Sequence, residues 1–165
     1  MGVDPAEQAR RDFVARYLPA ARTCEEKMGV PAMISMGQAA LESAWGAKVS
    51  GYALFGIKAD ASWRAKGGKV VLQDTCEWVG GKKILYKAAD RPDICSFRAY
   101  ATPEEAFIDH ALFLEQNRRY APCFKLGKTD VQGWAAALQA AGYSTSPTYA
   151  STLLDVVASV KRRMV

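Results

Sequence analysis

Apolar residues recur along the chain in helical runs, interrupted once by a stretch of strand-like alternation. The first run places Phe13, Val14, Tyr17, Leu18 and Ala21 at the spacing of one helix face. Asp4 stands at the cap position with Pro5 behind it, Pro19 predicts a kink, and Gly29 ends the run. A second helix is predicted from Pro31 to Gly46, and a loop through Gly51 and Gly56 follows it. From Lys69 to Tyr100 the pattern changes. Val70, Val71 and Leu72 precede Thr75, Trp78 and Val79, Gly80 and Gly81 make a turn, and Ile84, Leu85 and Tyr86 follow. This predicts a β-hairpin with an irregular return through Ala88 to Asp93.

Helical periodicity then resumes. Thr102 and Glu105 form a capping box that opens a third helix, with Phe107, His110, Ala111 and Leu114 on one side. Asp130 caps a fourth helix over Trp134 and Leu138, ending at Gly142. Ser146 and Pro147 start a fifth, striped by Tyr149 or Ala150, Leu153, Leu154 and Val157. Lys161, Arg162 and Arg163 suit its negative end. The class expected is α+β, mainly α: one domain over residues 1–165 with a β lobe at about 69–100.

Composition narrows the functions. No stretch reaches the roughly 18 consecutive apolar residues of a membrane span, so no membrane insertion is expected. The polar start, Met1 to Arg11, is not a secretory signal. Either the chain is exported by another route or it is part of a longer one. The 22 basic and 17 acidic residues leave a net charge of +5, which favours polyanionic partners without choosing among them. The basic residues are scattered and read as a solvated surface, which predicts no nucleic-acid face. Cys24, Cys76, Cys95 and Cys123 form no CxxC, and His110 is the only histidine, so no metal site is expected. Cys76 and Cys95 flank the hairpin and could meet in a disulfide; free thiols are the alternative.

One residue stands out chemically. The second helix reads PAMISMGQAALESAWG, and Glu42 is its sole ionisable side chain. A helix apolar nearly all round is buried. A lone carboxyl there is poorly solvated, and the negative end of the helix dipole adds to the cost of its charge. Both effects raise its pKa. A carboxylic acid still protonated near neutral pH is what glycoside hydrolysis requires to protonate a leaving oxygen. Ser35, Gln38 and Glu42 share one helix face, so a polar seam could open to a cleft. The competing reading is a helix-end glutamate swung into solvent or paired with an arginine.

Five strings in order carry a resemblance: QAALESAWG at Gln38–Gly46, LFGIKA at Leu54–Ala59, FRAY at Phe97–Tyr100, NRRYA at Asn117–Ala121 and LQAAGYSTSPTYA at Leu138–Ala150. Together they resemble the glucosaminidase domain of glycoside hydrolase family 73, which includes flagellum-associated peptidoglycan hydrolases and autolysins. The resemblance runs from about Phe13 to Val160. It implies a lysozyme-like helical domain whose small β lobe flanks an active-site cleft.

It also implies an endo-β-N-acetylglucosaminidase cutting the β-1,4 bond between N-acetylglucosamine and N-acetylmuramic acid, without cofactor or metal. Glu42 takes the place of the essential acid. Glu77, in the run Thr75–Trp78, takes that of a second carboxylate, with Asp74 competing and a solvent-facing strand residue as the plain alternative. The family's AGYAT motif stands as Ala141–Thr145, which assigns Tyr143 a place beside the acid, or else a packing role. Trp63 and Asn117, with Gln38, are the expected substrate contacts; lobe packing is the alternative for Trp63. Ala53 stands where an asparagine is common, Ser146 where an aspartate is common, and His110 where an aromatic is usual, which suggests a core histidine.

Two routes complete the reaction: Glu77 activates water, or the substrate's 2-acetamido group attacks with Tyr143 orienting it. The expected protein is a monomer acting on peptidoglycan strands in the periplasm or outside the cell. The rival readings are a muramidase or lytic transglycosylase of lysozyme type, and a non-catalytic wall-binding module.

Overall fold

In a computed structural model, residues 2–165 are described; Met1, the first residue of the polar start, lies outside them. Helix α1 spans Pro5–Met28, with Pro at its first turn and Gly29 closing it in the left-handed conformation at φ 82°. Pro19 lies inside without ending it. Asp4 sits at the cap, yet its side chain makes no capping hydrogen bond. Helix α2, Ala32–Glu42, is the central element: it packs against α1, against α5 (Val131–Ala140) and against α6 (Tyr149–Lys161). Gly37 allows the α2–α6 approach, because a β-carbon there would stand 2.7 Å from Val157 Cγ2 and 3.0 Å from Leu153 Cδ1. Helix α4, Pro103–Gln116, lies against α1 and is capped by Thr102, whose hydroxyl accepts from the Glu105 N–H.

Three expectations are corrected. The second helix stops at Glu42, not at Gly46. Ala44, Trp45 and Gly46 all take left-handed φ, of 49°, 57° and 81°, and turn the chain sharply. Trp45 explains the turn: it packs edge-on against Phe13 at 5.7 Å, with the Arg10 and Arg163 guanidiniums over its ring. The Ser43 hydroxyl donates to the Ala39 carbonyl and accepts from the Gly46 N–H, pinning the exit. A short helix the periodicity did not reveal, α3 at Ala61–Ala65, is capped by Asp60 accepting from the Trp63 N–H. The last helix begins at Tyr149 rather than after Ser146, whose hydroxyl accepts from the Thr148 N–H ahead of it.

The β lobe is two ribbons. Strand β1 (Lys69–Leu72) pairs antiparallel with β4 (Ser96–Ala99), and β2 (Thr75–Val79) with β3 (Lys82–Tyr86) across the Gly80–Gly81 turn. The β2–β3 hairpin matches the sequence pattern. β4 does not emerge from the pattern, because its partner lies far back in the chain. All four cysteines are free: Cys95 is buried with its thiol toward the Tyr86 carbonyl, and Cys76 is exposed. The Cys76–Cys95 disulfide is therefore absent. No helix among the described residues is long and apolar enough to cross a membrane.

Candidate active site

Glu42 is the last residue of α2, and a left-handed turn follows at Ala44–Gly46. Gly56, at φ 62°, approaches the acid closely; a β-carbon there would stand 3.4 Å from Glu42 Oε2. Glu42 is open to solvent on one side and crowded by protein on the others. The open side lets a substrate reach it. The crowding starves the charge of water and pushes the carboxyl up to about 7. No salt bridge to Glu42 occurs among the described residues, which removes the paired-arginine reading.

An aromatic cluster centres on Tyr143. Tyr143, half-buried after α5, lies with its ring 5.5 Å from Tyr149, 5.9 Å from Tyr120 and 6.4 Å from His110. Burial holds the Tyr143 phenol well above its ordinary value, and Tyr149, Glu42 and Tyr120 add to the effect. A charge on Glu42 is thus felt at Tyr143. His110 is fully buried, stacked on Phe55 at 4.0 Å, and burial lowers it to about 3; it is a neutral core histidine.

Gln38 departs from expectation. It is fully buried, its Nε2 donates to the Tyr149 hydroxyl at 2.9 Å and its Oε1 lies 2.8 Å from His110 Nε2. Both ends of the amide are engaged inside the protein, so it is an internal tie between α2, α4 and α6 rather than a substrate contact. Ser35, on the same face, is also fully buried, and the seam opens at Glu42 alone.

Glu77 stands on β2, with Oε1 3.0 Å from Lys58 Nζ. Lys58 also donates to the Ile94 carbonyl and lies over the Phe97 ring, so it anchors the glutamate to the lobe. Across the lobe, the Trp78 N–H donates to Thr145 Oγ1 at 3.2 Å, bringing the strand of Glu77 against the loop of Tyr143. Asp74 is engaged elsewhere: it accepts from the Ala88 N–H at 2.8 Å and from Lys87 at 3.3 Å, and these bonds hold it below the usual carboxylate range.

Asn117 lines a separate polar cavity of about 320 Å³ together with Asp60, Arg98 and Asp109. The Trp63 indole donates to the Lys69 carbonyl, Arg98 lies 4.9 Å from its ring centroid, and Gly68 presses on it so closely that a β-carbon would stand 2.3 Å away. Those contacts are lobe packing. Asn117 donates from Nδ2 to the Phe113 carbonyl at the end of α4. Among the described residues no three His, Cys, Asp or Glu side chains converge as a metal site would require. Sequence reasoning missed Tyr149 and Lys58. Tyr149 reads as one more position of an apolar stripe; its signal was a hydroxyl on a face that must be buried.

A family model described as mannosyl-glycoprotein endo-beta-N-acetylglucosaminidase, the glucosaminidase model, matches residues 18–162. The peptidoglycan hydrolase FlgJ of Salmonella typhimurium is 37% identical over 164 residues, covering 95% of this chain and 48% of that protein. The exo-glucosaminidase LytG of Bacillus subtilis is 34% identical over 142 residues, covering 80% of this chain and 45% of that one. The chain thus spans about half the length of these relatives. Among solved structures, a peptidoglycan hydrolase mutant from Sphingomonas sp. A1 superposes with a TM-score of 0.78 at 36% identity, covering 93% of this chain and 97% of that one. The glycoside hydrolase domain of the Salmonella FlgJ, C-terminally truncated, gives 0.70 at 35% identity, covering 94% and 99%. With its lysozyme-like helical body, its small β lobe and a family match over nearly its whole length, the chain belongs to the glucosaminidase family of glycoside hydrolases.

Proposed function

We propose that this chain hydrolyses the glycan strands of peptidoglycan, cutting after N-acetylglucosamine, with Glu42 as the acid. The observation that carries the reading is a lone carboxyl at the open end of a buried helix, close against Gly56 and pushed up to about 7. Such a group is protonated in a large share of molecules near neutral pH. It gives its proton to the glycosidic oxygen as the C–O bond breaks, a step worth about 10²–10⁴ in rate. Relatives called peptidoglycan hydrolases support the substrate class. On this reading the chain works at the cell wall, in the periplasm or outside the cell, as a monomer.

After the proton moves, the anomeric carbon must be attacked. Glu77, held by Lys58 on the lobe that meets the Tyr143 loop, is the carboxylate suited to activating water. Tyr143, beside Glu42, is the group suited to orienting the substrate's own acetamido oxygen. Glu77 and Tyr143 thus serve the two routes, and azide rescue separates them. Asn117 would meet the glycan at the Arg98 cavity, which it lines. The deciding experiment is mass spectrometry of borohydride-reduced digestion products. Reduced N-acetylglucosamine ends are expected; reduced muramic ends would identify a muramidase, and no new ends would leave a wall-binding module.

A further inference from the structure

We propose that the polar cavity walled by Lys66, Arg98, Gln116 and Asn117 is a subsite for the acidic peptide stem that branches from the glycan strand. The proposal rests on the reading of peptidoglycan as the substrate.

The cavity is built around one arginine. Arg98 stands on β4 with a side chain only 14% exposed. Its Nε donates to the Lys58 carbonyl at 3.2 Å, and its Nη1 donates to Asp109 Oδ2 at 3.2 Å. Asp109 also accepts from the Tyr100 hydroxyl at 2.5 Å, and the Trp63 ring lies 4.9 Å from the guanidinium. Removing an ionised group from water costs free energy unless its donors are met. Two of the three Arg98 nitrogens are met. Nη2 makes no hydrogen bond within the protein: Asp60 Oδ2 stands 3.6 Å from it, beyond hydrogen-bond reach. The guanidinium is thus fixed in place with one nitrogen unspent, which makes it a preorganised donor for a carboxylate.

The rest of the wall selects the guest. Lys66 forms no ion pair among the described residues and lies only over the Trp63 ring, at 6.0 Å. Asn117 spends Nδ2 on the Phe113 carbonyl and keeps Oδ1 as an acceptor. The acids are already engaged: Asp109 by Arg98 and Tyr100, and Asp60 by the Trp63 N–H that it caps. Two cationic donors therefore meet a carboxylate, and one amide oxygen meets a peptide N–H. Those are the groups of an acidic peptide. The volume of about 320 Å³ lies at the low end for small-ligand sites.

Its position suits a branch rather than the scissile sugar. Glu42, Glu77 and Tyr143 do not line it. Yet the segment from Gly56 to Lys58 joins it to them. Gly56 stands against Glu42, and Lys58 Nζ lies 3.0 Å from Glu77 Oε1. On the same segment the Ile57 carbonyl accepts from the Arg98 N–H at 2.8 Å and the Lys58 carbonyl from Arg98 Nε. Gly56 and Lys58 are at most about 7 Å apart along the chain. A strand held at the two carboxyls thus carries its side branches past the Arg98 wall.

The test compares kcat/KM on soluble, uncrosslinked glycan strands with the same strands after carbodiimide coupling to ammonia, which turns the stem carboxyls into amides. The parental enzyme should prefer the free-acid strands by about 5-fold, the scale of one charge pair at a half-open site. Lys66→Ala removes a cation and Gln116→Glu adds a repelling charge; both positions are exposed, so folding tolerates them. Each should bring the preference below about two-fold. Lys161→Ala removes the same charge at the end of α6, away from the cavity lining, and should keep the preference. Equal rates on both strands, or an equal loss in Lys161→Ala, overturn the proposal. Strands stripped of stems by an amidase keep only the carboxyl of the muramic sugar. If these are cut as fast as the free-acid strands, the cavity reads the sugar and the stem assignment falls. In parallel, an alanyl-γ-D-glutamate dipeptide and its diamide are titrated into isotope-labelled protein, with the Trp63 indole N–H beside Arg98 as the reporter. The free acid should shift that signal to saturation and the diamide should not. An unmoved indole overturns the proposal. A shifted indole with no strand cut upholds the subsite and defeats the hydrolase reading instead.

Discussion

Replacing Glu42 by Gln keeps the shape and removes both the proton and the charge. The first consequence is kinetic: wall lysis should fall by at least about 100-fold, the lower end of acid catalysis. The second concerns stability, and its sign follows from the raised carboxyl at about 7 against 4.5 in the free side chain. The folded protein holds this proton more tightly than the unfolded chain. Below about pH 4.5 both states are protonated and the group costs nothing. Between there and about pH 7 the unfolded chain releases its proton first, so stability falls as pH rises. Above about pH 7 the whole penalty is present. Solvent reaches the open side of Glu42 and screens part of it, leaving on the order of 1 kcal/mol. For a chain of this size that is a Tm difference of about 2–4 °C. Glu42→Gln should therefore melt higher than the parent at pH 8 and alike at pH 4, by circular dichroism in matched salt. The parental enzyme should lose kcat as pH rises through about 7. A Glu42→Gln enzyme with more than about a tenth of parental activity refutes the acid role. Equal melting of both proteins at pH 8 refutes the raised carboxyl.

Glu77→Ala should slow turnover less than Glu42→Gln, and azide should partly restore it with a glycosyl azide product; full activity without azide assigns the attack to the acetamido group. Gly37→Ala puts a methyl 2.7 Å from Val157 Cγ2. Overpacking of about 1–3 kcal/mol outweighs a helix-propensity gain of about 1, so Tm should drop, and a rise would show that α6 yields freely. Ala44→Gly relieves a left-handed residue at φ 49° on an exposed turn and should stabilise by about 0.5–1 kcal/mol with kcat unchanged; a lower midpoint in urea would contradict the strain.

The sequence by itself determined the helices with strong punctuation. Pro5 and Gly29 bound α1, the Thr102–Glu105 box opens α4, and Gly80–Gly81 turns the β2–β3 hairpin, because capping and turn chemistry are local. It also singled out Glu42, since one carboxyl in an apolar helix is conspicuous wherever the helix packs. What was not legible depends on contacts between distant segments. The end of α2 at Glu42 is set by Trp45 docking on Phe13, Arg10 and Arg163 from the two ends of the chain. Strand β4 exists because Ser96–Ala99 meets β1 across a long excursion, and no local propensity announces that partner. Gln38 and Trp63 are polar or aromatic residues at suggestive positions, and only tertiary packing showed the amide closed between His110 and Tyr149 and the indole wedged between Gly68 and Arg98. Periodicity reports which face is buried. It cannot report which buried neighbour completes a hydrogen bond, because that is decided by where three separate helices meet.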